Sequence, residues 1–354
     1  MVSSLLFAFG VLWGLEKLAS QFKEDVTGNP MTPSTEGLGH PFLLWEMPPG
    51  IAQVNGQQVT VNAIGARGPE VSLDKPTGIR RVISLGGDMA FGRGVQRAET
   101  YSVDAVNSLG GSRVGVETIL LAVPEYTIEQ TLNLMTMRGW DLNPDLLILS
   151  GPSHEMSVSP YVDKSVISRF QSTAVISSSI NDTAMFRILD HWLRIDSGPK
   201  ATRRQSVFSE GRNINADGRP RVGTNDYAHA LDAIVDTAVS KSVDVIFVML
   251  PTPEDLRDSP FDNRVTLYRE AMNIVAKRHG VPVVDGPTLF KDSGRTQTEL
   301  FSEGSVMTRR GHRTLSYALT QKLRPWMRGR KLNKKGTGEV IPPLEEPASM
   351  EMTF

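Results

Sequence analysis

The chain has no cysteine among its 354 residues. That excludes disulfides, thiolate metal sites and cysteine nucleophiles, while leaving the compartment open. It also lacks charge imbalance: 38 Lys and Arg face 39 Asp and Glu, a formal net charge of −1. A protein built to coat nucleic acid would show a strong basic excess, so no nucleic-acid partner is expected. Histidine is scarce. His40, His191, His229 and His279 are scattered without His-x-x-x-His spacing, so neither a metal site nor a cofactor is expected. No internal repeat is present. Charge is absent altogether from the first 15 residues and concentrated, with Gly and Pro, in the last 28.

Met1–Leu15 reads MVSSLLFAFGVLWGL, and Leu18, Ala19 and Phe22 extend the apolar run past Glu16 and Lys17. As a helix, the uncharged stretch is about 22 Å long, slightly short of the roughly 20 residues of a full span. Three readings are open: a membrane anchor, a cleaved signal peptide, or a buried helix of a soluble domain. A signal peptide fits worst, because a basic n-region is missing and the Leu18-Ala19-Ser20 site adjoins charges. An anchor over 1–24, meeting lipid through residues 1–22, fits best. Too few basic residues flank it to set its orientation. At the other end, 327–354 is basic, then acidic and Pro-containing; without apolar periodicity it reads as a tail.

Between these ends the chain divides into a lead-in over 25–78 and a domain over 79–326. The lead-in is rich in Gly and Pro, with one alternating strand at Gln57–Ile64. Five β-branched apolar runs follow: Arg80–Gly86, Gly115–Val123, Pro144–Gly151, Val243–Pro251 and Val281–Gly286. Runs of this kind suit strands buried on both faces of a parallel sheet. Helical periodicity lies over Thr127–Gly139, Asn225–Ser242, Asn263–Gly280 and Gly311–Trp326. Strands alternating with helices predict an α/β, doubly wound, flavodoxin-like sheet of five parallel strands. Ser157–Val222 breaks the rhythm and reads as an insertion with one helical piece near Ala184–Leu193.

The residues at the expected carboxyl ends of the strands carry a resemblance. VNAIGARGPE (Val61–Glu70) precedes GGDMAFGRGV (Gly86–Val95); AVPEYTIEQ, NPDLLILSGPSH and FSEGSVMTRRGH follow in order. This series resembles the SGNH, or GDSL-like, hydrolases. Their blocks commonly read Asn-x-x-Gly-x-Arg-x-x-Glu, Gly-Asp-Ser-x-x-x-Gly-x-Gly-Val, Gly-Val-Pro-Gly-Tyr-Thr-x-x-Gln, Pro-Asp-…-Gly-x-Asn-Asp and Asp-x-x-His-x-x-x-x-Gly-His. Gly87, Asp88, Gly92, Gly94, Gly311 and His312 keep the motif frame.

The resemblance also implies a catalytic set, and here the sequence departs from it. Gly87-Asp88 is followed by Met89 where the family has its Ser nucleophile, and a thioether cannot be acylated. Glu125 stands at the Gly whose N–H serves the oxyanion, and Ser153 at the Asn that serves it too. Val306 stands at the base His, and Glu303 at the Asp that orients it. Loss of one oxyanion donor alone costs about 10² to 10³ in rate. His312 is a candidate substitute base, although a Gly-His pair also simply opens the last helix in the family. The reading is an inactive SGNH-like domain, extracytoplasmic and anchored, serving other protein subunits of a membrane complex. The alternative is an esterase, acyltransferase or glycan-binding protein acting on acylated envelope polysaccharide.

Overall fold

The computed structural model describes residues 38–40, 42–54, 56–157, 162–165, 167, 220–257, 263–302 and 306–333. The apolar run at 1–24, most of the 157–222 insertion, Glu303 and the tail from 334 onward lie outside the described residues. Among those described, no helix is long and apolar enough to cross a membrane.

The lead-in forms two antiparallel ribbons. The first pairs β1 (Leu38–His40) with β2 (Leu44–Glu46); the second pairs β3 (Gly50–Val54) with β4 (Gln57–Val61). β4 stops at Val61, short of Ile64, because Asn62 makes a turn: its Oδ1 accepts from the Ala66 N–H and its Nδ2 donates to the Pro69 carbonyl. Glu70 closes the turn by accepting the Ala63 N–H. Arg67 then runs inward and donates to the carbonyls of Phe91, Gly92 and Val95. The whole lead-in motif thus fixes the loop that follows the first core strand.

The core sheet consists of β5 (Arg80–Leu85), β6 (Val116–Leu120), β7 (Leu146–Gly151), β8 (Asp244–Met249) and β9 (Val283–Asp285). All five are parallel, in the order β6-β5-β7-β8-β9. This is the flavodoxin-like order, with a switch point where the chain leaves β5 in one direction and β7 in the other. Every residue of β7 and β8 is buried, as apolar runs covered on both faces require.

One face is covered by α3 (Ile128–Leu134, continuing as a π-turn over Met135–Gly139), α4 (Thr224–Ser240) and α5 (Asn263–His279). Their apolar stripes meet Ile83, Leu85, Leu147, Leu149, Val245 and Phe247. The other face is covered by α1 (Asp88–Phe91), α2 (Tyr101–Ser108), α6 (Gly286–Asp292) and α8 (Arg309–Met327), against Val82, Leu146, Ile148, Ile246 and Val248. A short α7 (Gln297–Leu300) leads into α8.

The tail does not begin directly after Trp326. Asp244 at the start of β8 accepts the N–H groups of Leu332 and Asn333, and the Asn333 Oδ1 accepts the Val245 N–H. These contacts hold 331–333 against the amino end of the sheet.

Candidate functional site

The carboxyl ends of β5, β6 and β7 deliver three loops to one place. After β5 the chain turns through Gly86 and Gly87 into α1, whose first residue is Asp88. After β6 it runs through Pro124 and Glu125 to Thr127, which caps α3 reciprocally with Gln130. After β7 it passes Pro152, Ser153 and His154. The loops pinch at Gly87, where a Cβ would lie 2.5 Å from the Ser153 Oγ and 3.1 Å from the Tyr126 carbonyl. A cavity of about 170 Å³ opens there, lined by Asp88, Met89, Arg93, Ser153, His154, Thr252 and Val306 among others. Drug-sized ligand pockets run from about 300 Å³ upward. A larger space of about 340 Å³ lies beside β6 near Arg67, Arg97 and Glu117, remote from these loops.

Four positions singled out in the sequence therefore converge: Asp88, Met89, Ser153 and Val306. Gly92 and Gly94 adopt φ of 81°, and a Cβ on Gly94 would lie 3.1 Å from Val306. Glu125 stands next to Asp88 at φ 64°, a left-handed backbone unusual for a non-glycine residue. Gly311 lies within the first turn of α8, where a Cβ would meet the Leu300 carbonyl at 2.5 Å.

The motif spacing of the resemblance itself bears on which residue falls at the serine. Counting back from Gly92-Arg93-Gly94-Val95 through the family spacing places Asp88, not Met89, at the serine. Gly86-Gly87 then stand for Gly-Asp. Asp88 opens the helix and reaches the cleft. Its Oδ2 lies 2.6 Å from the His154 Nε2, its Oδ1 lies 3.4 Å from the Arg93 guanidinium, and the Glu125 backbone N–H donates to it.

Burial by itself raises the Asp88 carboxyl. The His154 imidazole, Arg93 and the Glu125 N–H outweigh that and hold it below its ordinary value. Burial lowers His154, and the Asp88 carboxylate reverses the direction, leaving the imidazole raised. Glu125 is raised, first by burial and then by the neighbouring Asp88 charge. In the cleft Asp88 and His154 thus each favour the other's charged form, beside a carboxyl whose ionisation burial and Asp88 oppose.

Below this pair lies a second set of buried groups that the sequence reading did not single out. Glu155 is 2% exposed and accepts the N–H groups of Ser153 (2.5 Å) and Ile128 (3.0 Å), tying the β7 loop to α3. Arg221 and Asp163, both with fully buried side chains, pair at 2.8 Å. Arg221 also donates to Gln130 Oε1 and to the Glu125 carbonyl, and Thr127 donates to Asp163. Both feet of the insertion are therefore pinned against the Glu125 loop.

His312 is no substitute base. It is completely buried, its Nδ1 accepts the Tyr101 N–H, and its ring stacks on Tyr101 at 5.8 Å. Burial, with Arg67 nearby, pushes its pKa down to about 3. Among the described residues no cluster of His, Asp and Glu is arranged to hold a metal ion.

No family model and no curated protein matches the sequence. Among solved structures, the chain is similar to LAE5, an α/β hydrolase from the metagenome of Lake Arreo, with TM-score 0.44 and 14% identity over 68% of this chain and 94% of that one. It is similar to Axe2, an acetylxylan esterase from Geobacillus stearothermophilus, with TM-score 0.45 and 10% identity over 70% and 95%. It is similar to the lipase/acylhydrolase from Enterococcus faecalis, with TM-score 0.44 and 13% identity over 72% and 100%.

Proposed function

We propose that this domain keeps an SGNH-type hydrolase scaffold without ester hydrolysis, and that it works as an accessory subunit of a membrane-associated assembly. One observation carries the first half. The Asp88 carboxylate, which the family's motif spacing sets at the serine, already engages three donors of the kind that a developing oxyanion would need. The Glu125 N–H is on Asp88, His154 is 2.6 Å from it, and Arg93 adds a third contact. A resident anion in such a site opposes the arrival of a second one. The remaining hydroxyl of the SGNH positions, Ser153, faces Gly87, and Val306 offers no proton acceptor.

The accessory role is supported by what surrounds this scaffold: the apolar run over 1–22 and the charged tail are the parts of the sequence that an inert domain leaves for partners and lipid. A serine-directed fluorophosphonate followed by intact-mass measurement tests the first half. No adduct is expected; an adduct on Ser153 would overturn it. Extraction in mild detergent tests the second. Co-elution with other subunits is expected, and a lone monomer would contradict it.

A further inference from the structure

The helix α8 carries a feature that the cleft does not use. Between 309 and 331 the chain has eight basic residues and no carboxylate, against an overall balance of 38 to 39. The helix buries Leu315, Leu319, Leu323 and Trp326 in the core. Its outer face presents Arg313, Tyr317 and Arg324, and Arg328 at the C-cap continues that side, at spacings of four, seven and four residues. Tyr317 is 72% exposed.

Neighbouring carboxylates neutralise only part of this charge. Arg309 pairs with Glu99, and Arg310 with Glu299. Arg313, Arg324, Arg328 and Arg330 have no ion-pair partner among the described residues, and the helix packed alongside, α2, carries one carboxylate, Asp104. The opposite face of the sheet is different. There α4 carries carboxylates, and α5 answers them, with Arg278 and His279 both on Asp232. Among the described residues, four arginines without a carboxylate partner therefore gather on the α8 side.

The geometry points to α8 as a docking face for an anionic membrane surface. The helix is 19 residues long, about 28 Å, and its guanidinium groups are spread along that length. Tyr317 is its one exposed large apolar side chain. A protein interface clusters its aromatic and Arg anchors in a central, well-packed patch, whereas here the cations are strung along the helix around a single exposed tyrosine. A lipid surface with mobile anionic head groups needs only distributed cations and an interfacial aromatic. The inference rests on residues remote from the cleft and stands whatever the cleft does.

The absence of cysteine makes the test direct. Gln321→Cys, on the exposed side of α8, and Val239→Cys, on α4 across the sheet, each give one labelling site in the full chain. Maleimide labelling is timed with vesicles of phosphatidylcholine alone and with about 30% phosphatidylglycerol added. The expected result is a roughly tenfold slower reaction at Gln321→Cys on the anionic vesicles only, relieved by about 0.5 M salt, with Val239→Cys unaffected. Adding Arg313→Gln, Arg324→Gln and Arg328→Gln abolishes the protection, since each basic side chain is worth about fivefold in partitioning. Equal rates on both vesicles would overturn the proposal. So would protection by polyglutamate or nucleic acid without protection by the vesicles.

Discussion

Replacing His154 tests the Asp88 pair most closely. Asp88 and His154 lie 2.6 Å apart, with side chains 17% and 28% exposed. A hydrogen bond between charged partners contributes about 1.5–3 kcal/mol. Removing one partner of a fully buried pair costs about 3–5 kcal/mol. With this exposure, and with Arg93 and the Glu125 N–H still on Asp88, a coupling of about 2 kcal/mol is expected. The perturbation is a double-mutant cycle of His154→Ala and Asp88→Asn, read by urea unfolding. In a domain of this size, His154→Ala should lower Tm by about 4–8 °C. The pH dependence fixes the sign. His154 is raised in the folded state, so its contribution is complete below its unfolded value and fades as pH climbs through the folded one. Asp88 is lowered, so its contribution is present above its unfolded value and fades as pH falls through the folded one. The coupling should therefore be largest near pH 6 and smaller at both pH 3 and pH 9. A coupling near zero at pH 6, or one that grows toward pH 9, would refute the assignment of a charged pair.

Two further substitutions probe the supports of the site. Arg221→Met leaves Asp163 buried without its partner and should destabilise by about 3–5 kcal/mol, whereas Arg221→Met with Asp163→Leu should recover most of the loss in denaturant unfolding. Glu129 is 8% exposed, and burial, with Lys164 partly offsetting, raises it from 4.5 to about 7. Its charging therefore opposes folding as pH rises through that interval. Glu129→Gln should be neutral at pH 4 and stabilising by up to about 3 kcal/mol at pH 8, by the linkage of roughly 1.4 kcal/mol per pKa unit.

The sheet was legible because its five strands are apolar throughout, and the helices that cover it repeat every three to four residues. What escaped lies where those signals are weak. β3 is half-exposed and lacks clean alternation, and α2 is eight residues long with no side-chain cap. The motif order marked the loops that line the cleft, and the resemblance's own spacing back from Gly92-Arg93-Gly94-Val95 sets its serine at Asp88 rather than Met89. Only the fold shows that Asp88 meets a histidine 66 residues away. The same holds for Glu155, Arg221 and Asp163. Their partners lie on separate loops, and a buried charge is recognisable only once burial and partner are both known. Residues 331–333 read as part of a polar tail because the groups they cap, at the start of β8, are far away in sequence.

The proposal sets Asp88 in place of the family's serine and expects no ester hydrolysis. Hydrolysis of a generic acetyl ester by the intact chain at neutral pH, compared with Asp88→Asn and His154→Ala, tests it most directly. The account predicts no turnover above the solvent background in any of the three. Turnover in the unaltered chain that either substitution abolishes would contradict it.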